Sequence, residues 1–193
     1  MVRGIVMCGG QSTRMRSDKG LMKFHSQYWV EIAYQKLNSL NIPVSISINT
    51  TQLKNYSQFL PQYNYIVDNK KFDVKGPLIG IISAHLKFPK DDLLILATDM
   101  LLLKKETLNY IIQLNLNNSK DVTLYQTDQY LQPLCAIYTK NALDTIIQQV
   151  LSDEIKHYSL KSIIQSLNTE FVQSEITSEF QNFNTIEEFK NLL

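Results

Sequence analysis

The sequence predicts an α/β fold with a mainly parallel, doubly wound sheet. Short apolar runs alternate along the chain with segments of helical periodicity. The first run stops at paired glycines, Gly9-Gly10, and three later runs stop at Asn49, Asp68 and Asp99. Ligands of such sheets bind beyond the carboxyl ends of the strands, so these residues are expected to share one edge.

Gly4 to Cys8 is apolar, β-branched and closed by glycines, which predicts a buried strand. Val44 to Asn49 alternates apolar and polar, predicting a strand with one more polar face. Tyr65 to Val67 is a short strand. Leu93 to Ala97 is the most apolar candidate; leucines suit a helix, but the run is short and follows a charged stretch, which favours a strand. Val122 to Tyr125 and Leu134 to Tyr138 are later candidates.

Helices are expected between these runs. Leu143, Ile146, Ile147, Val150 and Leu151 fall on one helical stripe. Leu160, Ile163, Ile164 and Leu167 repeat the pattern, with Ser159 placed to cap. Leu108, Ile111 and Ile112 mark another helix, and weaker patterns cover Trp29 to Leu40 and Leu78 to Leu86. Thr185-Ile186-Glu187-Glu188 has the form of a capping box. No repeat or flexible linker divides residues 1–193, so one domain is expected.

With 44% hydrophobic and 19% charged residues, the chain reads as globular. Its 19 basic and 18 acidic residues give a net charge of +1, which predicts neither a nucleic-acid nor a membrane-surface partner. Cys8 and Cys135 make no disulfide framework, and no signal or membrane-spanning pattern is present, so the expected location is the cytoplasm.

The segment from Cys8 to Lys19 carries the most chemistry. Glycines directly after a strand let the backbone approach a ligand, and successive amides there form a concave anion site. Ser12 adds a hydroxyl donor, and Arg14, Arg16 and Lys19 add positive charge. This combination suits a triphosphate. It is neither a Walker A loop nor a G-x-G-x-x-G fingerprint. Asp99 at the end of a buried strand suits either Mg²⁺ or a helix N-cap; the phosphate loop favours the metal. Asp68 and Asn49 stand at strand ends, where turn-forming roles are common. Gly76-Pro77 predicts a tight turn, and Gly80 allows close helix packing. His25, His85 and His157 have no ligand spacing and read as surface or partly buried residues. Trp29 reads as core or rim.

The string Met7-Cys8-Gly9-Gly10-Gln11-Ser12-Thr13-Arg14-Met15-Arg16-Ser17-Asp18-Lys19 resembles the opening motif of the molybdenum cofactor guanylyltransferases, the MobA-like nucleotidyltransferases. The resemblance continues through Asp68, Gly76-Pro77-Leu78-Ile79-Gly80, Asp99, Gln132-Pro133-Leu134 and Asn182-Phe183-Asn184-Thr185. It implies a Rossmann-like three-layer sandwich of the nucleotide-diphospho-sugar transferase type. It implies transfer of GMP from GTP to Mo-molybdopterin, with Mg²⁺ as cofactor. Met7, Cys8 and Gly9 would touch the nucleotide through backbone groups, beside Gly10, Ser12 and Gly76. Lys19 would contact phosphates, with Arg14 adding charge. Asn49 and Asp68 would hold the guanosine, and Asp99 would bind GTP and Mg²⁺. Asn182 and Asn184 would lie near the second substrate or the metal. Molybdoenzyme apoproteins or cofactor-insertion proteins would be the protein partners.

Three residues depart from the resembled pattern. Arg16 stands where glycine is usual, Met100-Leu101 lacks the usual proline, which predicts a less stiff turn, and Ile186 also replaces a proline. The alternatives are a related enzyme using CTP or a sugar or alditol phosphate, and a non-catalytic nucleotide- or pterin-binding module.

Overall fold

The structure is a computed structural model that describes residues 1–8, 18–128, 130–155, 158–183, 185, 187 and 188. The strands and helices follow in chain order. β1 (Val2–Met7) precedes a small hairpin, β2 (Lys23–Phe24) and β3 (Gln27–Tyr28). Then come α1 (Trp29–Asn38), β4 (Val44–Ile48), α2 (Leu53–Phe59), β5 (Tyr65–Val67), α3 (Pro77–Lys87) and β6 (Asp92–Ala97). The second half contains α4 (Lys105–Asn117), β7 (Val122–Thr127), β8 (Tyr130–Tyr138), α5 (Lys140–Leu151), α6 (Leu160–Gln165) and β9 (Thr169–Gln173).

One sheet carries seven strands in the order β5-β4-β1-β6-β8-β7-β9. β8 pairs antiparallel with β6 and β7, while the other pairings are parallel. The carboxyl ends of β1, β4, β5 and β6 therefore share one edge. Alternate side chains of each strand enter opposite cores. Val6, Leu94 and Leu96 pack with α1, α2 and α4. Ile5, Met7, Leu93 and Ile95 pack with α3, α5 and α6. This is the expected three-layer sandwich. Among the described residues, no helix is long and apolar enough to cross a membrane.

Every strand read from the sequence is present; β5 has the expected ends and the others are shifted. β8 starts at Tyr130 rather than Leu134. β4 has no solvated polar face, because Ser45 and Ser47 are both buried. Their small side chains leave room for α3: a Cβ on Gly80 would stand 2.7 Å from Ser47 Oγ and 2.6 Å from Met7 Cε. Ser159 occupies the cap position of α6 without a side-chain cap bond. Trp29 is fully buried, and His85, read as a surface or partly buried residue, is buried as well. Thr185 Oγ1 accepts from Glu188 N at 3.0 Å, as a capping box requires; Ile186 and the residues after Glu188 lie outside the described residues. The hairpin, α2 and β9 have no counterpart in the sequence reading. α2 and β9 are short and polar, and the hairpin has only two residues per strand.

Candidate functional site

Gly9, Gly10, Ser12, Arg14 and Arg16 lie outside the described residues, as do Asn184, Ile186 and His157. The two ends of the Gly-rich segment are described. At the first end, Cys8 N donates to Ser47 O at 3.0 Å, Cys8 O accepts from Gln52 Nε2 at 3.0 Å, and Met7 O accepts from Thr98 N at 3.3 Å. These main-chain groups already have protein partners. The Cys8 thiol is buried, which pushes its pKa up.

The second end is fixed by Asp18. Its Oδ1 accepts from Gly20 N at 3.0 Å and Tyr56 OH at 2.9 Å, and its Oδ2 accepts from Gln52 Nε2 at 2.7 Å. Gln52 thus ties together both ends of the segment. Gly20 has no room for a side chain, since a Cβ there would overlap Tyr56 Oη. Asp18 lies within the resembled motif, which implies no role for it. Gln52 follows Asn49 by three residues, a turn spacing that hinted at its place, whereas Tyr56 left no sequence signal.

Lys19 begins the short turn that Asp18 caps. Its Nζ donates to Asp99 Oδ2 at 2.9 Å, linking residues 80 positions apart. Their side chains are 22% and 19% exposed, so the pair is sheltered yet open to a ligand. Asp99 does not cap a helix, because the next one starts at Lys105. The structure therefore brings the predicted phosphate lysine and the predicted metal carboxylate into one ionic contact. Among the described residues, no group of three or more His, Cys, Asp or Glu is placed to hold a metal ion.

The loop after Asp99 is held from several sides. Met100 and Leu101 are buried, and Leu101 packs with Trp29 and Phe183. Phe183 N donates to Asp99 O at 3.2 Å, which brings the neighbouring Asn182 to this edge. Lys36 Nζ donates to Leu101 O at 2.5 Å and Leu103 O at 2.6 Å. The turn without proline is thus braced by packing and hydrogen bonds, contrary to the looser turn expected.

Asn49 Oδ1 closes its own turn, accepting from Thr51 N at 2.9 Å, Thr51 Oγ1 at 2.6 Å and Gln52 N at 3.0 Å. The turn role weighed for Asn49 is the one observed for its oxygen. Asp68 differs. Its carboxylate has no hydrogen bond or ion pair among the described residues, and burial raises its pKa from 3.8 to about 6. Gly76 takes φ +72 just before Pro77 opens α3, a conformation that suits glycine. Gln132 is buried and donates to Thr127 Oγ1 at 3.1 Å.

The sequence profile of the MobA-like NTP transferase domain matches residues 4–170. A relative from Flavobacterium johnsoniae, named "Probable molybdenum cofactor guanylyltransferase", is 31% identical over 189 residues, covering 97% of this chain and 94% of that protein. One of the same name from Methanocaldococcus jannaschii is 27% identical over 198 residues, covering 97% and 96%. Among solved structures, molybdopterin-guanine dinucleotide biosynthesis protein A from Archaeoglobus fulgidus superimposes with a TM-score of 0.77 at 19% identity, covering 98% of this chain and 95% of that one. The chain belongs to the MobA-like NTP transferase family and is a nucleotidyltransferase.

Proposed function

We propose that this member of the MobA-like family transfers GMP from GTP to Mo-molybdopterin, forming the guanine dinucleotide cofactor and releasing pyrophosphate. The observation that carries the reading is the contact between Lys19 and Asp99 at the carboxyl edge of the sheet. Two relatives named for this reaction match nearly end to end.

In the proposed step, an oxygen of the pterin's terminal phosphate attacks the α-phosphorus of GTP. A new P–O–P link forms, the bond to the β-phosphate breaks, and its electron pair leaves with pyrophosphate. The nucleophile is already anionic, so no strong general base is needed. The work is positioning and charge neutralisation. Lys19 supplies a cation for phosphate oxygens. Gln52, Tyr56 and Gly20 hold Asp18, and so fix where Lys19 starts. The sequence adds Arg14 and the loop amides to this anion site. Asp68 supplies a hydrogen-bond acceptor for donors on the nucleoside.

The donor set fits Mg²⁺. That ion is commonly held by one or two carboxylates plus substrate phosphates, and Asp99 offers a partly exposed carboxylate with Oδ1 outside the Lys19 contact. When bound, Mg²⁺ neutralises charge on the reacting phosphates. Two buried free cysteines suit a reducing cytoplasm. Molybdoenzyme apoproteins or cofactor-insertion proteins would receive the product.

A thermal-shift panel of GTP, CTP, ATP and UTP with Mg²⁺, followed by mass spectrometry of the product formed with Mo-molybdopterin, tests the reading. Stabilisation by GTP and a guanine dinucleotide product support it. Stabilisation by CTP alone, or GTP binding with no pyrophosphate released, overturns it.

A further inference from the structure

We propose that Lys36 is a positioning residue for Asp99, holding the loop that presents this carboxylate to the nucleotide. The inference rests on the reading of Asp99 given above. Lys36 lies on α1, three residues after Ala33 and seven after Trp29, both buried. Helical periodicity therefore turns it toward the core rather than toward water.

Its ammonium meets no carboxylate within ion-pair distance among the described residues. Instead it donates to Leu101 O at 2.5 Å and Leu103 O at 2.6 Å. Burial lowers its pKa to about 8, partly offset by the charge of Glu179. A lysine placed at that cost is satisfying two carbonyls that turn inward from the loop after Asp99.

The loop's other ties are longer. Met100 N reaches Ala97 O at 3.4 Å, Leu103 N reaches Met100 O at 3.5 Å, and Lys104 N reaches Glu179 Oε2 at 3.3 Å. Short bonds from a charged donor are roughly twice as strong as neutral ones. Lys36 is thus the charged restraint on Leu101 and Leu103, while Glu179 holds Lys104 at the far end of the loop through its backbone N and its Nζ, at 3.3 and 3.1 Å. The same helix supplies Trp29, against which Leu101 packs. α1 therefore fixes the loop by two contacts of different kinds, and the loop fixes Asp99.

Lys36→Met keeps the volume of the stem and removes the donors. Hydrogen exchange and Mn²⁺·GTP titration are compared for wild type, Lys36→Met, Lys36→Arg and Asp99→Asn. In Lys36→Met, exchange at Met100, Leu103 and Lys104 should speed by about tenfold, the scale set by losing charge-assisted bonds, while β1 and β6 amides keep their protection. Mn²⁺·GTP binding should weaken by about fivefold or more, and Lys36→Arg should recover much of both losses. Lys36→Gln gives the same readout if the methionine variant does not fold. Unchanged loop exchange, or a uniform rise across the sheet, overturns the proposal. If Asp99→Asn binds Mn²⁺·GTP as wild type does, the Asp99 reading fails, and the exchange pattern alone then decides whether Lys36 holds the loop.

Discussion

The two edges of the sheet treat their charges differently. At the amino edge, every described acid has a partner that neutralises it or spends its oxygens. Arg3 Nε donates to Asp91 Oδ2 at 2.7 Å, and its guanidinium lies 3.7 Å from the Phe88 ring centroid. Asp92 Oδ1 accepts from Lys140 N at 2.7 Å. Asp144 meets Lys140 Nζ at 2.5 Å and His85 Nε2 at 2.7 Å. At the carboxyl edge, Asp18 is equally caged and Asp99 is paired with Lys19, but Asp68 has no partner among the described residues. The pKa directions follow. Hydrogen bonds from Lys140 and His85 hold Asp144 below the usual carboxylate range, while burial pushes Asp68 up to about 6. Satisfied charge marks the edge that holds the molecule together; unsatisfied charge marks the edge where a ligand belongs. α3 runs between them, with Gly80 near Asp68 and His85 near Asp144.

The contrast is broken most directly at Asp99. Asp99→Ala should lower turnover by about 10³-fold, as expected for losing a phosphate-charge stabiliser, with little change in the unfolding midpoint. Wild-type turnover at matched Mg²⁺ would show that the carboxylate is structural. Gly80→Ala comes next. Its Cβ would crowd Met7 and Ser47, so chemical denaturation should show a loss of about 1–3 kcal/mol. Unchanged stability would mean that α3 can shift away from the sheet at no cost.

At the amino edge, Asp144→Ala should cost about 1–2 kcal/mol by denaturation and leave turnover unaltered. It removes the partner of His85, a buried side chain whose Nδ1 already lacks one among the described residues. A large loss of turnover in this variant would erase the distinction between the edges. The smallest effect is expected at Asp68. Its folded pKa of about 6 lies above its ordinary 3.8, so its contribution is fully present below pH 3.8 and lost as pH rises through 6. Asp68→Asn should therefore gain about 1 kcal/mol over wild type at pH 8, after discounting for its partly exposed setting, and the gain should vanish near pH 4. A variant less stable than wild type at pH 8 would mean that the charged carboxylate is satisfied.

Six of the strands were legible because their signals are local: β-branched or leucine runs closed by glycine or a polar residue. Asp99 and Lys19 were legible as candidates for the same reason. Their contact was not, since 80 residues separate them and only the parallel β1–β6 pairing brings their elements together. Asn49 shows a limit of another kind, because a strand-end asparagine serves a turn or a ligand with the same side chain. Lys36 is the clearest miss. A lysine on an amphipathic helix reads as solvated unless its spacing from Trp29 and Ala33 is counted, and its two acceptors are backbone oxygens that no side-chain pattern announces. Serines alternating in β4 suggested exposure, yet small side chains also serve where a helix must come close, as Gly80 does opposite Ser47.

Single-turnover pyrophosphate release from GTP, Mg²⁺ and Mo-molybdopterin, run side by side on wild type, Asp99→Asn and Asp144→Asn, tests the functional division of the two edges most directly. The expected result is release that requires the pterin, survives in Asp144→Asn and disappears in Asp99→Asn. Release that persists in Asp99→Asn, or none from the wild-type enzyme, would contradict it.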